Sequence, residues 1–232
     1  MPSTLKNLWR NLRQPFNALW AQRRLAEYKS RPRTLEEAVE WAMHFGGGGH
    51  MTVRTLQIPS EITRLARMVA ELEPKVILEI GTARGGTLLI WSSLASERVV
   101  SCDLLPLHRQ APLFTKFAPE GSKCRTTLLD GDSHDPSFKA RVARELGGAK
   151  VDFLFIDGDH TESGVERDYR DYVEFVRPGG LVAFHDIVEK QPLPTNQVYG
   201  FWKRLRREAD VVEFIDNPKQ CGFGIGVVRI PS

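Results

Sequence analysis

Val76–Thr87 reads VILEIGTARGGT, and this stretch decides the fold. Five residues, apolar except for Glu79, predict a short buried strand over Val76–Ile80. A turn holding Gly81, Gly85 and Gly86 follows, and an apolar helix is predicted from Gly85 to Leu94. Glycines let the backbone turn tightly, and a helix start offers free N–H groups to a ligand. The dinucleotide pattern G-x-G-x-x-G is not met, because Ala83 takes its middle place and the spacing is G-x-x-x-G-G. Glu79, two residues before the first glycine, would repel a pyrophosphate and suits a cationic ligand.

Downstream the alternation is regular. Val99–Asp103, Thr126–Leu129, Val151–Ile156 and Leu181–Phe184 predict further strands. Between them lie a helix capped by Asp135, opened by Pro136 and closed by Gly147, and a charged helix over Glu162–Val176 stopped by Pro178-Gly179. Strands apolar on both faces and separated by helices mean a parallel sheet covered on both sides. A helix around Val198–Arg207 precedes Val211–Ile215 and Gly224–Val228, expected as an antiparallel hairpin at the sheet edge. The class is therefore α/β: a doubly wound, mostly parallel seven-stranded sheet with a C-terminal antiparallel hairpin and N-terminal helices.

Upstream, Gln57–Leu72 predicts a helix, and so does 34–45, where Thr34 and Glu37 have capping-box spacing. Gly46–Gly49 fits no regular element and reads as a linker, with a hinge over a site as the other reading. Residues 1–50 are thus a basic helical extension with a glycine linker, and 51–232 the ligand-binding domain.

Of the 232 residues, 41% are hydrophobic and 26% charged, a globular balance that excludes disorder over most of the length. The net charge of +3 hides an uneven split: residues 1–33 hold eight Lys/Arg against one acid, Glu27, and the remainder is mildly acidic. Leu5, Leu8, Trp9, Leu12, Phe16, Leu19 and Trp20 recur at helical spacing, with a break expected at Pro15. That stripe is expected to pack on its own domain or on a sister subunit of a homo-oligomer. Peripheral membrane contact through residues 1–33 is the second reading. No nucleic acid is expected, because no basic patch with interleaved aromatics follows. Cys102, Cys124 and Cys221 are widely spaced and odd in number, which reads as reduced buried thiols of a cytoplasmic protein.

In a doubly wound sheet, ligands bind beyond the carboxyl ends of the strands. Asp103, ending the second strand 22 residues after Gly81, can accept both hydroxyls of a ribose. Asp132 and Ser133 follow the third strand, where an adenine edge would fall. The fourth strand runs into Asp157-Gly158-Asp159-His160 and the fifth into His185-Asp186, so three acids and two histidines converge on one crevice. A divalent cation takes such ligands. Capping by Asp157 and core packing of His185 are the plainer alternatives for each residue singly.

On these residues the chain resembles the class I S-adenosylmethionine (SAM) dependent methyltransferases, over Val76–Asp186. ILEIGTARGGT is similar to the family's first motif. FLFIDGDH, RPGGLVAFHDI and VYGFWKRL resemble a metal-dependent branch that includes catechol-type, cephalosporin-hydroxylase-like and macrolide-sugar O-methyltransferases. The resemblance implies that Glu79, Gly81, Thr82, Ala83 and Thr87 surround the methionine part of SAM and that Asp103 takes the ribose, with Asp132 and Ser133 beside the adenine. It implies a divalent ion on Asp157, His185 and Asp186, and His160 as the base acting with Asp157. Histidine at 185 departs from the usual Asp-Asn or Glu-Asp pair. Mg2+ is the first expectation, with Mn2+, Fe2+ or Zn2+ open.

The expected reaction is methyl transfer to a hydroxyl of a small molecule or sugar. The N-terminal helices, Gly46–Gly49 and Ile187–Gly200 are the expected acceptor-recognition elements. A SAM-binding protein without catalysis, docking on a membrane or partner through its basic helix, is the alternative. A nicotinamide enzyme is disfavoured by Glu79 and Ala83.

Overall fold

The computed structural model describes residues 3–232, with side chains described from residue 14 onward. Strands β1 (Val76–Ile80), β2 (Arg98–Asp103), β3 (Arg125–Asp130), β4 (Val151–Ile156) and β5 (Val176–His185) are parallel. With β6 (Val211–Phe214) and β7 (Ile225–Arg229) they form one sheet in the order β3-β2-β1-β4-β5-β7-β6. The last two strands make the expected antiparallel hairpin, with β7 placed against β5 and β6 at the edge. Strand order reverses between β1 and β4, so the switch-point crevice opens above their carboxyl ends.

Eight helices surround the sheet among the described residues: α1 (Ser3–Lys29), α2 (Leu35–His44), α3 (Pro59–Glu71), α4 (Gly86–Leu94), α5 (Ala111–Phe114), α6 (Pro136–Leu146), α7 (Glu162–Tyr172) and α8 (Val198–Leu205). The period-2 alternation of the strands divides their side chains between two cores. Ile77, Val99, Phe153 and Phe155 face the layer of α1–α4, whereas Leu78, Val100, Leu154 and Phe184 face α6–α8. Several ends are set by local chemistry. The Thr34–Glu37 capping box opens α2, Asp135 accepts from the Ser137 amide at the start of α6, and left-handed Gly147 (φ 60°) closes that helix.

Four expectations are corrected. The first helix runs through Pro15 without a break. Pro15 is exposed, so water can take the carbonyl that its missing N–H leaves free. The helix expected over Glu162–Val176 stops at Tyr172, and Pro178-Gly179, expected as its stop, lies inside β5. The β4–β5 register shifts between Val151 and Phe153 there, an irregularity that accommodates a residue without an N–H. The helix expected from Gln57 begins at Pro59, which leaves Gln57 in a bend ahead of it. Finally, Gly46–Gly49 is folded rather than slack: Gly46 pairs with Val53 through two backbone hydrogen bonds, and Gly49 opens a short 3-10 turn.

Ala21, Leu25 and Tyr28 of α1 join the same core as Phe45 and Phe117, while Phe16, Leu19 and Trp20 are exposed. The packing expected of Leu5, Leu8, Trp9 and Leu12 lies outside the described side chains. No helix among the described residues is long and apolar enough to cross a membrane.

Candidate active site

The turn after β1 is built by residues that tolerate its backbone. Gly81 has φ 104°, and a Cβ there would be driven into the Asp157 carbonyl, so the first glycine is required by the close approach of β1 and β4. Ala83 also has positive φ (44°), a conformation that costs about 1 kcal/mol or more in a residue other than glycine. It is held by Asp103, whose Oδ2 accepts the Ala83 amide at 2.7 Å while Oδ1 accepts the Leu105 amide at 2.8 Å. Each carboxylate oxygen keeps a second lone pair, enough for the two hydroxyls of a ribose.

Glu79 lies one layer beneath. It is fully buried and accepts from Trp91 Nε1 at 2.9 Å and from the Ser101 hydroxyl. Burial pushes its carboxyl up to about 7, against the pull of those donors. The expectation that Glu79 contacts the ligand is therefore corrected: it braces the turn and does not line the cavity. Thr82, bonded to Ser101, is buried as well but reaches a cavity wall, as does Thr87.

Two chambers open at the strand ends. The larger, about 700 Å³, is lined by Gly81, Ala83, Asp103, Asp132, Ser133 and His134. The smaller, about 280 Å³, is lined by Gln57, Thr82, Thr87, His185, Asp186 and Phe223, among others. Gly81, Ala83, Asp157 and His160 belong to both walls, so the chambers meet there. A roomier hollow of about 1000 Å³ lies around Gly179, Leu181 and Arg229, at the start of β5, and brings no histidine together.

Where the chambers meet, Asp157 Oδ1 stands 3.3 Å from His160 Nε2 and 3.2 Å from His185 Nδ1. His160 Nδ1 is 3.4 Å from Asp186 Oδ2, and Asp186 Oδ1 accepts the Phe223 amide at 3.1 Å. Asn196 Nδ2 donates to Asp186 Oδ2 at 2.6 Å. Asp186 has positive φ (64°), strain that its tight partners sustain. Burial alone would raise the Asp157 carboxyl, but His185 and His160 hold it well below the usual carboxylate range. Burial opposes the charge on His185, yet Asp157 outweighs it and, with Asp186 and Glu61, lifts that imidazole to about 9. His160 is raised by its hydrogen bond to Asp157.

Ligand atoms of Asp157, His160 and Asp186 lie within 4.8 Å of one another, close enough for one ion. His160 thus stands among the groups that could share an ion. His185 places Nδ1 3.2 Å from Asp157 Oδ1 and 3.5 Å from Asp186 Oδ1 and leaves Nε2 buried without a partner. Two carboxylates and an imidazole fit a divalent cation of intermediate softness. Sequence reasoning missed Gln57 and Phe223, neither of which carries a motif. Asn196 lies inside the loop singled out for the acceptor.

Residues 78–187 match the family model of a methyltransferase domain. A curated relative, the uncharacterized protein R132 of Acanthamoeba polyphaga mimivirus, is 28% identical over 142 residues, 59% of this chain and 62% of that protein. Among solved structures, the O-methyltransferase TomG of Streptomyces achromogenes, in complex with SAM, is similar at TM-score 0.60 and 16% identity, covering 87% of this chain and 92% of TomG. The MycE methyltransferase of mycinamycin biosynthesis, in complex with Mg, SAH and mycinamycin VI, is similar at TM-score 0.59 and 19% identity, over 87% of this chain and 56% of MycE.

Proposed function

We propose that this chain, whose residues 78–187 match a methyltransferase domain, is a class I SAM-dependent methyltransferase that transfers the methyl group of SAM to a hydroxyl oxygen of a small molecule or sugar, assisted by a divalent ion. One observation carries the reading: two chambers share a wall at Gly81, Ala83, Asp157 and His160, so a donor in one faces an acceptor in the other across the carboxylate–imidazole cluster. Asp103 would hold the ribose, Asp132 and Ser133 the adenine edge, and Gly81, Ala83 and Thr87 the methionine part.

Asp157, His160 and Asp186 would hold the ion. Bound there, it would acidify the acceptor hydroxyl and offset the carboxylate charge that keeps His185 protonated. His185, its Nε2 unpartnered beside the smaller chamber, then takes the hydroxyl proton. Thr82 and Thr87 wall the chamber, and Asn196 and Phe223 fix the Asp186 carboxylate. In-line placement of donor and acceptor supplies much of the remaining acceleration. Mg2+ stays the first choice; the imidazole ligand leaves room for Mn2+, Fe2+ or Zn2+.

Exposed Phe16 and Leu19 on the basic first helix favour a partner for that helix, a second copy of the chain ahead of a lipid surface. If the chain binds S-adenosylhomocysteine (SAH) but methylates nothing, a docking role through this helix is the reading that remains. The test is Asp157→Ala in a methyl-transfer assay on a metabolite extract. Turnover should fall by about 100-fold or more while the SAH Kd stays within about threefold. Full turnover in that variant, or in chelator-treated protein, would remove the ion from the mechanism.

A further inference from the structure

Gln57 comes from outside the sheet and reaches the cluster from a hundred residues away in sequence. It lies between α2 and α3, in a segment pressed against the cofactor turn. Arg54 forms a parallel bridge with Gly85, and a Cβ on Gly86 would strike the backbone of Arg54 and Thr55. The Gln57 amide N–H donates to Thr55 Oγ1 at 3.3 Å, which holds its backbone in place. Its side chain crosses to Asp157, where Nε2 donates to Oδ2 at 3.1 Å, and the residue is 5% exposed.

The amide can face only one way. An ionised carboxylate has no proton to give, so the NH2 end must meet Asp157. Oε1 is then turned away, and it is buried without a partner beside the smaller chamber. Both oxygens of Asp157 are thereby assigned. Oδ2 is held by Gln57, and Oδ1 is left toward His160 and His185.

We propose that Gln57 is a positioning residue for the ion centre, selecting which oxygen of Asp157 is presented to the cation. The inference rests on the ion-assisted reading above. Outer partners that orient a ligating carboxylate typically change metal affinity by about 10- to 100-fold when removed. Leucine at 57 removes the donor and frees the carboxylate to rotate. Glutamate removes the donor too, but its carboxylate is itself a ligand for the ion and compensates.

The experiment is calorimetric titration of Mn2+ into the full-length, SAH-saturated protein, wild type against Gln57→Leu and Gln57→Glu, with the SAH Kd measured on the same samples. Gln57→Leu should weaken Mn2+ about tenfold and leave the SAH Kd within about twofold, while Gln57→Glu binds Mn2+ at least as tightly as wild type. A side chain that served packing alone would not show that opposition. An unchanged Mn2+ Kd in Gln57→Leu overturns the proposal while the ion-assisted reading stands. Should Gln57→Leu fail to fold, Gln57→Glu decides alone, and weaker Mn2+ binding in it overturns the proposal. A wild type that binds SAH but no Mn2+ overturns both.

Discussion

At the scale of single residues, Glu79 is the clearest case of a side chain whose environment differs from its expected role. The acid before the glycine turn looks in sequence like a group for a cationic ligand, yet it is sealed beneath the turn by Trp91 and Ser101. Its carboxyl rises from an ordinary 4.5 to about 7 through burial. A raised folded-state value contributes stability that is complete below about pH 4.5 and is lost as pH climbs through about 7. The wild type should therefore lose stability between pH 5 and 8, by an amount on the order of 3 kcal/mol at full extent. Glu79→Gln should flatten that slope, which denaturant melts at the two pH values would read. An unchanged slope in the variant would place the titration elsewhere.

Among the elements, α7 ties the fold to the site. Thr161 directly follows His160, and its hydroxyl accepts from the Gly164 amide at the helix start. Loss of such a cap costs about 1 kcal/mol. Thr161→Ala should lower the unfolding free energy by about that amount in urea melts, and equal stability would show that the cap contributes nothing. The elements legible in sequence were those with caps, glycine stops or apolar runs broken by a single acid, as in α6, β1 and β4. At Pro178-Gly179, a pair whose local preference is to end an element, strand pairing in β5 overrides that preference. Gln57 was hidden for a related reason: an apolar periodicity that suited a helix continued past the true start at Pro59, and nothing local marks a side chain that acts across a hundred residues. The ring orientations of His160 and His185 were equally hidden, because sequence places residues at strand ends but does not orient their rings.

For the whole molecule, the N-terminal helices and the sheet share one core: Ala21, Leu25, Tyr28, Phe45 and Phe117 join Phe153 and Phe155. Tyr28 packs at a tilt against Trp41, and Trp20 meets Phe45 edge-on. Removal of residues 1–33 should strip this cover and lower the thermal midpoint by 10 °C or more, on the order of several kcal/mol. A truncated chain that melts with the full one would make the extension a separate unit. The central claim is that a nucleoside and an ion meet at the wall shared by the two chambers, and a crystal structure of the full chain soaked with SAH and Mn2+ tests it most directly. The expected density has the ribose on Asp103, the adenine beside Asp132 and Ser133, and Mn2+ on Asp157, His160 and Asp186. SAH bound elsewhere, or Mn2+ absent from that cluster at saturating concentration, would contradict the account.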